Sequence, residues 1–175
     1  MHCRLLVVRH AKSAWDSAAE TDHDRPLNKR GQRDAPRIAA EIARHKWVPH
    51  WVISSDSRRT RETWEYMHST MERSANDAGQ DAPWAPTVMF RRDLYHASLL
   101  EVRQALLELN LRQQVVMVLG HNPGWEEMVS VLTGEYVTMT TCNAALISVE
   151  ADDWQQAMLL ESCWQLHHLL RPREL

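Results

Sequence analysis

The 175-residue chain is short of several things at once, and each shortage closes a line of interpretation. It has three cysteines, Cys3, Cys142 and Cys163, with no Cys-x-x-Cys pair among them. An odd, dispersed set is neither a disulfide framework nor a zinc knuckle, and it suits a reducing compartment. No apolar run approaches a membrane span. The stretch Leu5 to Val8 is too short for the core of a signal peptide and meets Arg9 and His10 at once, so the expected location is the cytoplasm. Basic excess is missing too. A formal net charge of -3 argues against a nucleic-acid-binding surface. There is no Gly-rich loop ending in Gly-Lys-Ser/Thr for nucleotide phosphates, and no Gly-x-Ser-x-Gly elbow for a serine nucleophile. The ten histidines are too scattered for a metal-ligand set. Aromatic usage is lopsided, with eight tryptophans against one phenylalanine, and the sequence attaches no function to it.

What is present reads as one globular domain spanning residues 1–175, with 44% hydrophobic and 25% charged residues. Residues 3–8 form a short branched run, as expected of a buried parallel strand. A polar stretch over residues 11–27 leads to a helix with Asn28 as its N-cap and Ala35, Ile38, Ala39, Ile42 and Ala43 at helical spacing. Trp51 to Ile53 is a second strand. Ser54 to Arg73 is a second helix, with Ser54, Ser55 and Asp56 as cap candidates. Residues 74–86 read as a surface loop and 87–90 as a third strand. A third helix is expected over residues 98–110, and a fourth strand over 115–119. A helix follows Gly120-His121-Asn122-Pro123 as far as Leu132, and late strands run over 144–149 and 164–170. Alternation of this kind predicts an α/β three-layer sandwich: a mixed, mainly parallel sheet with helices on both faces.

In such a sheet ligands bind beyond the carboxyl ends of the strands. Here two strands end on histidine, at Arg9-His10 and at Gly120-His121, and a third ends on Ser54-Ser55 ahead of Arg58 and Arg59. Guanidiniums bind phosphate oxygens in bidentate fashion, and an imidazole among them can accept a phosphoryl group. Any one of these histidines alone reads as an ordinary core or loop residue. Two at strand ends, one behind an arginine and one before Asn-Pro, point to a phosphoryl site.

These residues also carry a resemblance. Arg9-His10-Ala11, Ser55-x-x-x-Arg59-x-x-x-Thr63 and Gly120-His121-Asn122 resemble the histidine phosphatase superfamily, which includes the phosphoglycerate mutases. Lys12-Ser13, Asp24-Arg25-Pro26-Leu27, Leu94-Tyr95-x-Ala97-Ser98, Pro123-Gly124 and the closing Arg171-Pro172 are similar to its small bacterial phosphohistidine phosphatases of the SixA type. The resemblance runs from residue 4 to the C-terminus. It implies a phosphoglycerate mutase-like fold and a metal-independent phosphatase that needs no cofactor. His10 matches the nucleophile, Arg9 and Arg59 the pocket arginines, and His121 the second histidine, expected as a cation on the phosphoryl group. The four-residue steps from Ser55 and to Thr63 select Arg59, and helical geometry turns Arg58 about 100° away, toward solvent. Lys12, Arg25, Ser55 and Asn122 are further candidates for contacting substrate, Ser55 also as a helix cap and Asn122 as a turn residue.

Two departures from the family pattern matter. Ala11 stands where glycine is usual. The slot in which many relatives carry a carboxylic general acid falls at His96, with Asp93, Glu126 and Glu127 as neighbouring candidates. A histidine among Arg9, Arg59 and His121 sits badly as a cation, so the expected substrate has a good leaving group. Phosphohistidine on a partner protein is therefore expected, and a small phosphorylated metabolite is the alternative; a silent phosphoryl-binding module is disfavoured by the complete set of basic residues. Cys3-x5-Arg9 has the spacing of a cysteine phosphatase but lies in an apolar strand. Asp22-x-Asp24 suggests a magnesium-dependent aspartyl phosphatase but does not follow a strand end. Oligomeric state has no signature in the sequence.

Overall fold

A computed structural model describes residues 1–77, 83–109, 111, 112 and 114–175. The chain order is β1 (His2–Arg9), α1 (Lys29–Arg44), β2 (Trp51–Ser55), α2 (Arg58–Asp77), β3 (Thr87–Arg91), α3 (Leu99–Leu107), β4 (Val115–Gly120), α4 (Gly124–Thr133), β5 (Ala144–Glu150), α5 (Trp154–Leu159) and β6 (Gln165–Leu170). Short 3₁₀ turns follow β3 and β6, at Arg92–Leu94 and Pro172–Glu174. The six strands lie in the order β3-β2-β4-β1-β5-β6. The first four are parallel, β5 is antiparallel to β1, and β6 is antiparallel to β5. This is the mixed, mainly parallel sheet that the sequence predicts.

β1 is central, so both of its faces must be apolar. Leu5, Leu6, Val7 and Val8 are all fully buried, which stabilises the fold by about 1.5–3 kcal/mol for each side chain. Alternation along the strands then divides the core. Leu6, Val8, Met117 and Leu119 pack under α1 and α2 with Ile38, Ile42, Met67 and Met71. Leu5, Val7, Val116 and Val118 pack under α3, α4 and α5 with Leu106, Trp125 and Met158. Register places Arg9 opposite Gly120, and Ser54 opposite Leu119, so β1, β4 and β2 end together at one edge.

The helix ends follow their chemistry. Asn28 caps α1 by accepting from Gly31 N at 3.0 Å. Ser98 and Glu101 form a reciprocal capping box on α3. α2 differs from expectation. It starts at Arg58, because Ser54 and Ser55 continue β2 opposite Phe90 and Arg91; Ser55 Oγ accepts from Ser57 N at 3.3 Å, one residue ahead of the helix. It also runs on to Asp77, taking the first residues of the expected 74–86 loop. Residues 78–82 of that loop, and Asn110 at the expected end of α3, lie outside the described residues. α5 was not anticipated, since six residues show too little periodicity to read.

Candidate active site

The ends of β1 and β4 deliver His10 and His121 to one cavity of about 200 Å³, with Arg59 entering from the first turn of α2; Ser55, expected to contact substrate, is fully buried against His121 and does not line it. Its lining comprises Arg9, His10, Lys12, Ser13, Trp15, Asp22, Arg25, Arg59, His96, His121, Asn122 and Thr141. His10 and His121 face each other with ring centroids 5.2 Å apart. Both are buried, as is Arg59.

The protons on His10 can be placed from geometry. Its Nδ1 lies 2.7 Å from the Ala11 carbonyl oxygen, which can only accept, so Nδ1 carries the hydrogen and donates it. Burial pushes the imidazole down to about 3, against the pull of that bond, with Arg59 and Arg9 adding to the depression. At neutral pH His10 is therefore an uncharged ring whose Nε2 has a free lone pair. The same loop is held from below. Ala11 N donates to Thr63 Oγ1 at 3.0 Å, and Thr63 Oγ1 donates to Arg59 O at 2.6 Å. A Cβ on Gly31 would meet the Lys12 carbonyl at 2.3 Å, so only glycine lets α1 pack against this turn.

His121 is placed by an equivalent pair of contacts. Arg59 donates an NH2 hydrogen to its Nδ1 at 3.4 Å, which leaves Nε2–H to donate to Ser55 Oγ at 2.9 Å. Burial, with His10 and Arg59 as like charges, pushes it down to about 2. Burial among positive groups favours the neutral ring, and a cationic His121 is expected only against a bound phosphoryl group. Ser55 serves this histidine rather than a helix end.

Arg59 is held on its far side by one residue. NH1 donates to Asp22 O at 2.6 Å and NH2 to Asp22 Oδ2 at 3.0 Å. The Asp22 carboxylate also accepts from Tyr95 Oη at 2.5 Å and from Arg25 NH1 at 2.7 Å. These donors hold it well below the usual carboxylate range although burial opposes them. His96 Nε2 lies 3.6 Å from the same carboxylate, so its surroundings are not the purely cationic ones expected from the sequence. Arg58, by contrast, is exposed and paired with Glu62 at 2.7 Å. Arg9 donates to Met139 O at 2.7 Å, and its buried Nε has no protein partner. A half-buried guanidinium with an unpartnered, buried Nε is well suited to an oxyanion.

Of the weaker candidates, Lys12, Arg25 and Asn122 all line the cavity. Asn122 precedes a cis bond to Pro123 and donates to Met139 O at 2.9 Å and Glu126 Oε2 at 3.1 Å. Glu126 also accepts from Met139 N at 2.7 Å, and Asp93 is bound to Arg91. Neither of these, nor Glu127, lines the cavity; among the described residues Asp22 is the lining carboxylate. Sequence reasoning placed Asp22 only in a rival motif, because a polar loop gives no sign of where it folds back. Cys3 is buried in β1 with its thiol pushed up to about 11, which removes it as a nucleophile. Among the described residues no three metal-ligating side chains cluster, and no helix is long and apolar enough to cross a membrane.

Comparison with known proteins agrees with this geometry. The sequence pattern of the histidine phosphatase superfamily (branch 1) matches residues 5–77. An uncharacterized chloroplastic protein of Arabidopsis thaliana is 34% identical over 178 residues, covering 97% of this chain and 78% of its own length. A structure from Agrobacterium tumefaciens, provisionally assigned as the phosphohistidine phosphatase SixA, superposes with a TM-score of 0.73 at 26% identity, covering 97% of this chain and 98% of that one. The protein histidine phosphatase SixA complexed with tungstate gives a TM-score of 0.74 at 19% identity, covering 98% of both chains. Sequence pattern, relative and fold converge, and the chain belongs to the histidine phosphatase superfamily.

Proposed function

We propose that residues 1–175 act as one metal-independent phosphatase domain that works through a phosphohistidine intermediate on His10 and removes phosphoryl groups from phosphohistidine on a partner protein. The observation that carries this reading is the tautomer of His10: a buried, neutral ring with Nδ1 tied to Ala11 O and Nε2 free among Arg9, Arg59 and His121. Nε2 attacks phosphorus in line with the leaving group. Arg9 and Arg59 offset the charge on the equatorial oxygens, the work that a magnesium ion performs in other phosphoryl-transfer sites. Arrival of the dianion between Arg59 and His121 favours a proton on His121 Nδ1, which then donates to a phosphoryl oxygen. Water attacks phospho-His10 in the second half.

The leaving group selects the substrate. Asp22, the carboxylate of the cavity, is held ionised by Tyr95, Arg59 and Arg25, so it has no proton to give an alkoxide. An imidazole leaves readily because it protonates near neutrality, whereas an alkoxide needs an acid worth roughly 10²–10⁴ in rate. The likeness to a SixA structure supports a phosphohistidine-bearing protein as partner. Three free thiols support a reducing compartment such as the cytoplasm.

The test is kcat/KM at pH 7 in EDTA for a phosphohistidine protein, a phosphoserine peptide and a sugar phosphate. The reading requires turnover in EDTA and a strong preference for the first. Comparable rates on a sugar phosphate, lost in His96→Ala, would make the protein a small-molecule phosphomonoesterase with His96 as its acid.

A further inference from the structure

Trp15 is the exception among the eight tryptophans. The other seven are buried or half-buried, whereas Trp15 is 77% exposed. It is nevertheless held in place. The Arg25 guanidinium lies over its ring with Cζ 3.5 Å from the centroid. Arg25 is itself fixed by Nε to Ala14 O at 2.9 Å, NH1 to Asp22 Oδ1 at 2.7 Å and NH2 to Ser13 Oγ at 2.5 Å. One face of the indole is therefore covered by a cation with little freedom, the rest of the ring is largely exposed, and Trp15 and Arg25 both line the cavity that holds His10.

We propose that the face of Trp15 away from Arg25 is the wall on which a planar, heteroaromatic leaving group stacks, the imidazole ring of a phosphohistidine substrate. This rests on the reading of the site as a phosphohistidine phosphatase and adds the means by which it selects among P–N bonds. Arg9 and Arg59 draw the phosphoryl group to the floor of the cavity, so the ring that carries it must lie toward the rim. There it meets Trp15, whose ordering cost the Arg25 stack and its three hydrogen bonds have already met. An aliphatic phosphoramidate such as phospholysine offers the same P–N bond without a ring to stack.

The experiment compares kcat/KM for phosphohistidine and phospholysine forms of one peptide, in wild type, Trp15→Ala and Trp15→Phe. Stacking of one aromatic pair corresponds to roughly a two- to tenfold effect. The phosphohistidine-to-phospholysine ratio should fall by that factor in Trp15→Ala and recover in Trp15→Phe. An unchanged ratio in Trp15→Ala, with the wild type active, overturns the stacking wall alone. A wild type that cleaves neither peptide overturns the phosphohistidine reading, and this inference with it.

Discussion

Thr63 Oγ1 accepts a hydrogen bond from Ala11 N at 3.0 Å and donates one to Arg59 O at 2.6 Å. One hydroxyl thus ties the turn after His10 to the helix that carries Arg59. Thr63→Val keeps the shape and removes both roles, leaving a buried amide without a partner, which costs about 1–3 kcal/mol. A displacement near 1 Å can cost about 10² in rate. We expect Thr63→Val to lower kcat by tenfold or more with a modest fall in Tm, and Thr63→Ser to restore most of it. Steady-state kinetics beside thermal melts check this; a loss in Tm with kcat intact would make Thr63 a packing residue only.

Arg59 and Arg58 are adjacent in sequence and opposite in fate. Arg59 is buried and Arg58 has a side chain 56% exposed. Removing a preorganised oxyanion donor costs on the order of 10²–10³ in kcat, while exposed ion pairs are worth about 0–1 kcal/mol. Arg59→Ala should therefore fall by at least that factor, and Arg58→Ala by less than about threefold. Equal losses measured at the two positions would mean that the charge of the helix, not the fork of Arg59, is what matters.

The buried imidazoles make stability depend on pH. His10 is held near 3 by burial with Arg59, Arg9 and Arg25, and His121 near 2 by burial with His10, Arg59 and His96, both far below the ordinary histidine value. Between about pH 6.5 and those values the unfolded chain binds more protons than the folded one, so stability rises with pH and levels off above about 6.5. The slope is up to about 1.4 kcal/mol per pH unit for each ring. Asp22, an acid held below its usual range, gives its full contribution above the ordinary carboxylate value and loses it progressively as pH falls below about 4. Denaturant titrations from pH 4 to 8 should show this slope, and His10→Asn should flatten it. A wild-type curve flat over that range would mean that the rings are charged in the native state.

Oxyanion binding should reverse the pressure on His121. Tungstate does not itself titrate near neutrality, so any proton taken up on binding goes to the protein. Calorimetry in buffers of different ionisation enthalpy should register uptake approaching one proton at pH 7.5, absent in His121→Asn. No uptake in the wild type would leave His121 neutral throughout and remove its charge from the transition state.

The strands were readable because buried parallel β-structure leaves short branched runs, and the site because His10 and His121 stand at the ends of two of them. Arg59 could be told from Arg58 by spacing. What escaped the sequence depends on where loops fold back. Asp22 lies in a polar stretch and reaches Arg59 across a separation that no local pattern encodes. Ser55 was readable as a cap or as a site residue, and the register of β2 beside β4 decides that it bonds His121. The burial that lowers His121 has no local signature, because it comes from elements distant in sequence. The exposure of Trp15 was invisible in a count of tryptophans.

The central claim is that Nε2 of His10 becomes phosphorylated, and it follows from the 2.7 Å contact that reserves Nδ1 for the Ala11 carbonyl. The direct measurement is rapid quench into base with ³²P-labelled substrate, followed by site mapping and ³¹P NMR of the trapped enzyme. The account requires one acid-labile, base-stable phosphoryl group per chain, on His10, bonded to Nε2, and absent in His10→Ala, which should fold but not turn over. Label on Cys3, on Asp22 or on Nδ1 of His10, or turnover by His10→Ala, would contradict it.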